Sequence, residues 1–441
     1  MMDFVCAKCG TTVAAVVAGY RCDCGGLWQT TVSKTCLPFS VRDIKTINPG
    51  LARYSTFLPV KEEFLINLSL REEITPLITL TADLIVKDES ALPHGSFKDR
   101  GAFTLIAFAQ MIGAERIVQD SSGNAGLSVA FYSAKAGLPC EIYLPAGTSL
   151  SKQAQLRKSG AQVHLITGSR DHCADVLKAR LDAQSNRAGD ASGELNRATE
   201  YSYKDQAYPG SGFLSKNRNA NQTFSNPNIL SECRDTEDIP VLADYSQVTE
   251  KHGFNSEPKV IDKLPFYASH VYQPLFYQGV KTIIYEIFEQ LQRIPKHIFL
   301  PVGNGTLLLG IIQGLRDLAT AGLIDTFPRL IAAQSNNCAP LATAWRRNED
   351  YPLPIMPQAT VAEGIAIARP QRGREILSIA RRYPISFQTV SEESIEKARI
   401  KMAEHGLPME PTAAVAFASY IDFCQRYGKP ADTLIPLTGN N

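Results

Sequence analysis

The chain has 441 residues, 44% of them apolar and 20% charged, which suits a folded protein of two or three domains with sizeable cores. Its 45 Lys and Arg against 44 Asp and Glu leave a formal net charge of +1, so bulk charge points to neither nucleic acid nor a membrane surface as a partner. No stretch is apolar for long enough to span a bilayer, and MMDFVCAKCG lacks the basic-then-apolar order of a secretory leader, so a cytoplasmic protein is expected.

Residues 1–35 come first and are rich in cysteine. Cys6, Cys9, Cys22 and Cys24 read C-x2-C-x12-C-x-C, followed by Gly25, Gly26 and Leu27. Such crowding favours a metal site over a disulfide framework, although the second pair is one residue shorter than in the usual zinc ribbon. Two readings stay open: those four thiolates hold a structural zinc ion, or the segment folds on apolar contacts through Tyr20, Leu27 and Trp28. Its role is structural in both, because four protein ligands leave no open position on the metal. The later cysteines Cys140, Cys173, Cys233, Cys338 and Cys424 stand alone and read as small buried apolar groups.

Further on, HGSFKDRGA runs directly into the apolar FTLIAFAQMIG. Gly95 and Ser96 mark a turn, which places Lys98 in the first turn of a helix, where the peptide dipoles disfavour a cation. A lysine held there beside Phe97 suggests a chemical use rather than the solvated fate of most lysines. Strand and helix patterns then alternate. ERIVQD, CEIYLPAG and AQVHLITG are predicted strands, each answered by a helix: GLSVAFYSAKAG, SLSKQAQLRKSG and SRDHCADVLKARLDA. Short apolar runs separated by helices argue for parallel strands with crossover connections. Residues 186–263 are rich in Asn, Ser, Gly and Tyr and read as a polar insertion or lid, a loop or a disordered segment. Regular patterns resume with QPLFYQGVKTIIYEIFEQL as a helix and HIFLPV, RLIAAQS and ADTLIPLTGN as strands. The fold class is α/β: two doubly wound domains behind an N-terminal zinc-ribbon-like segment.

Two strand-to-helix junctions share a design. One holds Ser121, Ser122, Gly123, Asn124, Ala125 and Gly126; the other holds Gly303, Asn304, Gly305 and Thr306. Small residues let a ligand approach the backbone, and free N–H groups at a helix start favour an anion. Neither junction is a Walker A or a complete G-x-G-x-x-G, which counts against a nucleotide. In open α/β sheets, ligands bind beyond the carboxyl ends of the strands, where both junctions and the Lys98 turn would meet. A lysine amine near a phosphate cradle is what pyridoxal phosphate needs, since its aldehyde forms a Schiff base with that amine.

GSFKDRG, SSGNAG, VGNGT and the late PLTGN, in this order and spacing, resemble the fold-type II pyridoxal-phosphate enzymes of the tryptophan synthase β-like superfamily, and among them the threonine synthases. The resemblance covers about 40–185 and 264–440. It implies a large cofactor-binding domain from 36–102 and 264–441, a small α/β domain over 103–185, and a homodimer. It also implies that Lys98 carries the Schiff base, that Phe97 packs beside the ring, and that Asn124 bonds the cofactor's 3-oxygen. Gly303, Asn304, Gly305 and Thr306 would hold the phosphate, and Thr438 would meet the pyridine nitrogen. Ser121, Ser122, Gly123 and Ala125 would receive the substrate carboxylate. The implied activity is a lyase reaction turning O-phosphohomoserine and water into threonine and phosphate.

Some positions depart from that pattern. Gln273 stands where Asn is common before Pro, Gln278 where Glu is common, and TVAEGIAIARP with Glu363 and Gly364 is closer to the serine/threonine dehydratases. Elimination or replacement at the β carbon of a small amino acid therefore stays open, as in those dehydratases, diaminopropionate ammonia-lyase or cysteate synthase. A non-catalytic relative that binds partners through the ribbon and the polar block is the third reading. Lys152 and Arg157 are candidates to face a substrate phosphate, although helix-surface cations are usually solvated. His94 and His270 read as locally packed or hydrogen-bonded rather than catalytic.

Overall fold

The computed structural model describes residues 3–15, 19–30, 38–168, 170–190 and 265–440. Residues 1–185 with 263–441 belong to one compact unit. Beyond Asp190, the polar block expected over 186–263 lies outside the described residues, as do Cys36 and Cys233.

Strands β1 (Asp3–Cys6), β2 (Thr12–Ala14) and β3 (Trp28–Thr30) form a small antiparallel sheet in the order β2-β1-β3. Helix α1 (Glu62–Leu68) precedes a hairpin of β4 (Leu77–Thr81) and β5 (Leu84–Asp88). Helix α2 (Lys98–Met111) follows, then β6 (Ile117–Gln119), α3 (Asn124–Lys135), β7 (Cys140–Pro145), α4 (Leu150–Lys158), β8 (Gln162–Ile166) and α5 (Arg170–Asp190). After the polar block come β9 (Phe266–Tyr267), α6 (Leu275–Val280), α7 (Thr282–Leu291), β10 (His297–Pro301) and α8 (Thr306–Thr320). The chain continues through β11 (Arg329–Ser335), α9 (Pro340–Arg346), α10 (Gly373–Ala380), β12 (Ile385–Val390), α11 (Glu392–Glu404), α12 (Pro411–Tyr427) and β13 (Thr433–Leu437).

The larger sheet runs β12-β11-β10-β13-β5-β4 and is parallel except for β4 at its edge. The smaller runs β8-β7-β6-β9, all parallel. All five residues of β13 are buried, as a strand covered on both faces requires. The α/β class, the parallel strands and the N-terminal appendage agree with the sequence. Strand β9 lies after the polar block yet pairs with β6, so the smaller sheet takes one edge from the far side of that block. The helix expected over QPLFYQGVKTIIYEIFEQL divides at Lys281, where the Thr282 hydroxyl donates to the Gly279 carbonyl at 2.7 Å. Helices α2 and α6 cross closely. A Cβ on Gly279 would lie 2.0 Å from the Arg100 carbonyl oxygen, and one on Gly101 would lie 2.2 Å from the Phe276 ring.

Beneath the Lys98 turn lies a buried ionic network. Arg100 donates to Glu89 at 2.6 and 2.8 Å and pairs with Glu286 at 2.6 Å. Lys87 pairs with Glu286 at 3.2 Å and donates to the Thr75 carbonyl and to Gln290. Two cations face two carboxylates, so the charges balance and each has hydrogen bonds, the condition under which buried ions are tolerated. Among the described residues no helix is long and apolar enough to cross a membrane.

Candidate active site

The turn before α2 is pinned from two sides. Asp99 is fully buried and accepts from the His94 backbone N–H at 2.8 Å, with its other oxygen 3.0 Å from the His94 Nδ1. The Ser96 hydroxyl and the Phe97 N–H both donate to the Thr438 carbonyl, at 3.0 and 3.2 Å. Gly95 takes the left-handed conformation, φ +66°, that the tight turn demands. Lys98 is thereby the first residue of α2, with Asp99 supplying the acid that a helix start prefers. Burial lowers the Lys98 amine to about 7; Arg170 pushes the same way and Glu410 opposes. An amine so lowered is in good part unprotonated at neutral pH and can act as nucleophile and base, which an ordinary lysine cannot.

Lys98 opens into a cavity of about 460 Å³, within the usual range for a small-molecule site. The end of β6 contributes Ser121, Ser122, Gly123, Asn124 and Ala125, and the end of β10 contributes Gly303, Asn304, Gly305 and Thr306. Phe97, Lys152 and Thr438 also line it. All the cofactor- and substrate-side candidates thus share one space at the carboxyl ends of strands from both sheets. Gly126 holds the first loop, since a Cβ there would lie 1.9 Å from the Ser121 carbonyl oxygen. Gly305, at φ +82°, caps α8 without a side-chain hydrogen bond, so the first N–H groups of that helix lack an intrahelical partner. The Thr438 hydroxyl is buried without a hydrogen-bond partner among the described residues, which marks a place for an absent polar group. A glycine cradle, a lysine of lowered basicity and an orphaned hydroxyl fit pyridoxal phosphate.

The wall also carries residues that no motif marks. Glu410 accepts from the Asn124 amide at 3.1 Å, and burial raises its carboxyl above the usual range. In sequence it reads only as the residue before Pro411 at a helix start. Arg170 lines the cavity from the start of α5, where it resembles a surface cation. Lys152 meets Glu363 at 2.7 Å across the mouth, and Gly364 lines the same wall. Arg157 instead approaches Gln153 and is not among the lining residues. Gln278 donates to the Thr30 hydroxyl at 2.9 Å, and neither it nor Gln273 lines the cavity. His94 packs on Phe131, ring centroids 3.9 Å apart, as a locally bonded histidine.

The cysteine cluster is a second potential site. Cys6, Cys9, Cys22 and Cys24 place their sulfurs within 4.8 Å of one another, close enough to share one zinc ion after a small contraction. The short C-x-C spacing works because Gly25, at φ +78°, turns the chain, and because Gly26 has no Cβ to strike Cys6 Sγ 2.4 Å away. Cys140, Cys173 and Cys338 are buried and Cys424 half-buried.

Residues 68–199 and 242–439 match the family described as pyridoxal-phosphate dependent enzyme. The chain belongs to that family. Residues 1–48 match a zinc finger domain described from DNA polymerase-epsilon. The chain is 26% identical to a threonine synthase of Methanocaldococcus jannaschii over 94% of its own length and 85% of that protein's. For a threonine synthase of Methanosarcina acetivorans the figures are 25%, 95% and 86%. A threonine deaminase structure from Solanum lycopersicum superposes with a TM-score of 0.57 at 18% identity, covering 86% of this chain and 89% of that one. Maize serine racemase gives 0.57 at 16% identity, covering 86% and 93%. The fold is therefore that of the type II pyridoxal-phosphate enzymes, and the curated relatives place the chain with lyases of threonine synthase type that act on an amino acid.

Proposed function

We propose that this enzyme converts O-phosphohomoserine and water to threonine and phosphate. The observation that carries the proposal is the convergence of Lys98, the two loop cradles and the orphaned Thr438 hydroxyl on one cavity. When bound, pyridoxal phosphate supplies an electron sink for the pair released as a bond at the substrate's α carbon breaks. Lys98 would hold its aldehyde carbon, Phe97 would flank its ring, and Asn124, itself oriented by Glu410, would hold its 3-oxygen. Gly303, Asn304, Gly305 and Thr306 would take its phosphate on the first turn of α8, and Thr438 would donate to or accept from its ring nitrogen. Ser121, Ser122, Gly123 and Ala125 would seat the substrate carboxylate. Lys152 would meet the substrate's phosphate by exchanging it for Glu363. Once freed by substrate, the Lys98 amine would move protons at the α and β carbons.

The reading further places the larger domain in 36–102 and 264–441 and the smaller in 103–185, with 186–263 as an insertion or lid. The enzyme would be a cytoplasmic homodimer without nucleic-acid or membrane partners. Borohydride reduction of cofactor-loaded protein, followed by peptide mapping, should place the label on Lys98, and Lys98→Ala should abolish both label and phosphate release from O-phosphohomoserine. Label on another residue overturns the assignment. Glu363 at the mouth favours a second reading, β-elimination on serine or threonine; ammonia and a keto acid in place of threonine and phosphate would establish it.

A further inference from the structure

His270 lies three chain positions beyond the small sheet's edge strand β9, on the segment that leads into α6, and its side chain has no role in the proposal above. The segment is rigid where it carries this residue. The buried Ser269 hydroxyl accepts from the Val271 and Tyr272 N–H groups, both at 3.3 Å, and its carbonyl accepts from the Gln273 N–H at 3.0 Å. The His270 carbonyl accepts from the hydroxyl of Thr306, the first residue of α8, at 3.4 Å. The ring edge rests against Phe276, with centroids 5.9 Å apart at 63°. Held on both sides, the imidazole lines the cavity at 9% exposure, and its Nδ1 has no hydrogen-bond partner among the described residues. A buried nitrogen in that condition marks a contact that a ligand completes.

Its surroundings select the kind of ligand. The first turn of α8 begins at Thr306, behind Gly305, and offers unpaired N–H groups to an anion. Lys98 and Arg170 face the same space. Burial, with Lys98 and Arg170 adding to it, pushes the imidazole well down, so the ring is neutral and keeps one donor and one acceptor nitrogen. We propose that His270 is a phosphate-binding residue, donating from Nδ1 to the phosphate ester seated at the start of α8. This rests on the cofactor reading above and extends the seat beyond the glycine loop to a residue outside it.

The test separates the two. Pyridoxal phosphate and pyridoxal, which lacks the phosphate, are titrated into the wild-type chain, His270→Ala and His270→Asn, following absorbance and borohydride labelling at Lys98. The expected result is a loss of affinity for pyridoxal phosphate of about tenfold or more in His270→Ala, as for one hydrogen bond to a charged group. Pyridoxal should bind both proteins alike, the bound cofactor's phosphorus resonance should shift, and His270→Asn should recover part of the loss through its amide donor. Equal loss for both ligands, or none for either, overturns the assignment, as does an unchanged cofactor affinity with a raised KM for O-phosphohomoserine. If the wild-type chain takes no label at Lys98, the cofactor reading itself falls and takes this one with it.

Discussion

Lys98 is held away from its ordinary protonation state, and that has a consequence for stability. In the absence of cofactor the amine titrates at about 7 instead of 10.5, chiefly through burial. Between those values the unfolded chain binds a proton that the folded chain does not, so stability rises with pH across the window and the charging penalty is fully present below it. Denaturant midpoints of the cofactor-free protein should therefore increase from pH 7 to pH 10, and Lys98→Met should flatten the rise; identical slopes would show that Lys98 does not titrate in this way. At this scale the sequence was legible where chemistry is local. HGSFKDRG, SSGNAG and VGNGT each gather small residues around one turn, which reads as a held lysine or an anion cradle, while the individual roles come only from the family resemblance. Glu410 and Arg170 were not legible as site residues, because each is an ordinary helix-end residue until the fold carries it to the cavity. His270 looked like a packing histidine because sequence does not show which ring nitrogen lacks a partner.

The elements were readable in proportion to their periodicity. Strands β6, β7, β8, β10, β11 and β13 follow from short apolar runs between helices, whereas β12, ISFQTV, mixes polar and apolar residues and β9 has only two. What pattern does not convey is how closely two helices approach. Glycine decides that for α2 and α6, where Gly279 and Gly101 leave room only for backbone and for the Phe276 ring. Gly279→Ala should cost about 1–3 kcal/mol or more, because the new methyl meets the Arg100 carbonyl and the buried ionic network below it has no slack. Thermal unfolding measures this, and wild-type stability in that variant would mean the crossing is looser than described.

At the level of the whole molecule, the ribbon is fastened to both sheet regions. Its Tyr20 hydroxyl donates to Asp182 on α5 at 3.1 Å, while Arg372 reaches the Trp28 carbonyl at 3.1 Å and the carbonyls of Val271 and Tyr272. Zinc at the four thiolates would thus stiffen more than its own turns. Stripping it with a chelator should lower Tm, and Cys22→Ser should do the same without added chelator; an unchanged Tm in protein that does contain zinc would make the ribbon dispensable. The two-sheet plan was visible in the alternation of patterns, but these ties were not, since they join carbonyls and side chains that no motif marks. The Ser96–Thr438 bond joins residues 342 positions apart and helps seat the lysine turn. During synthesis, that turn leaves the ribosome long before its closing strand exists. A message cut short ahead of Thr438 would yield a polypeptide without the carbonyl that accepts from Ser96 and Phe97, and so without one of the two fastenings of its lysine turn.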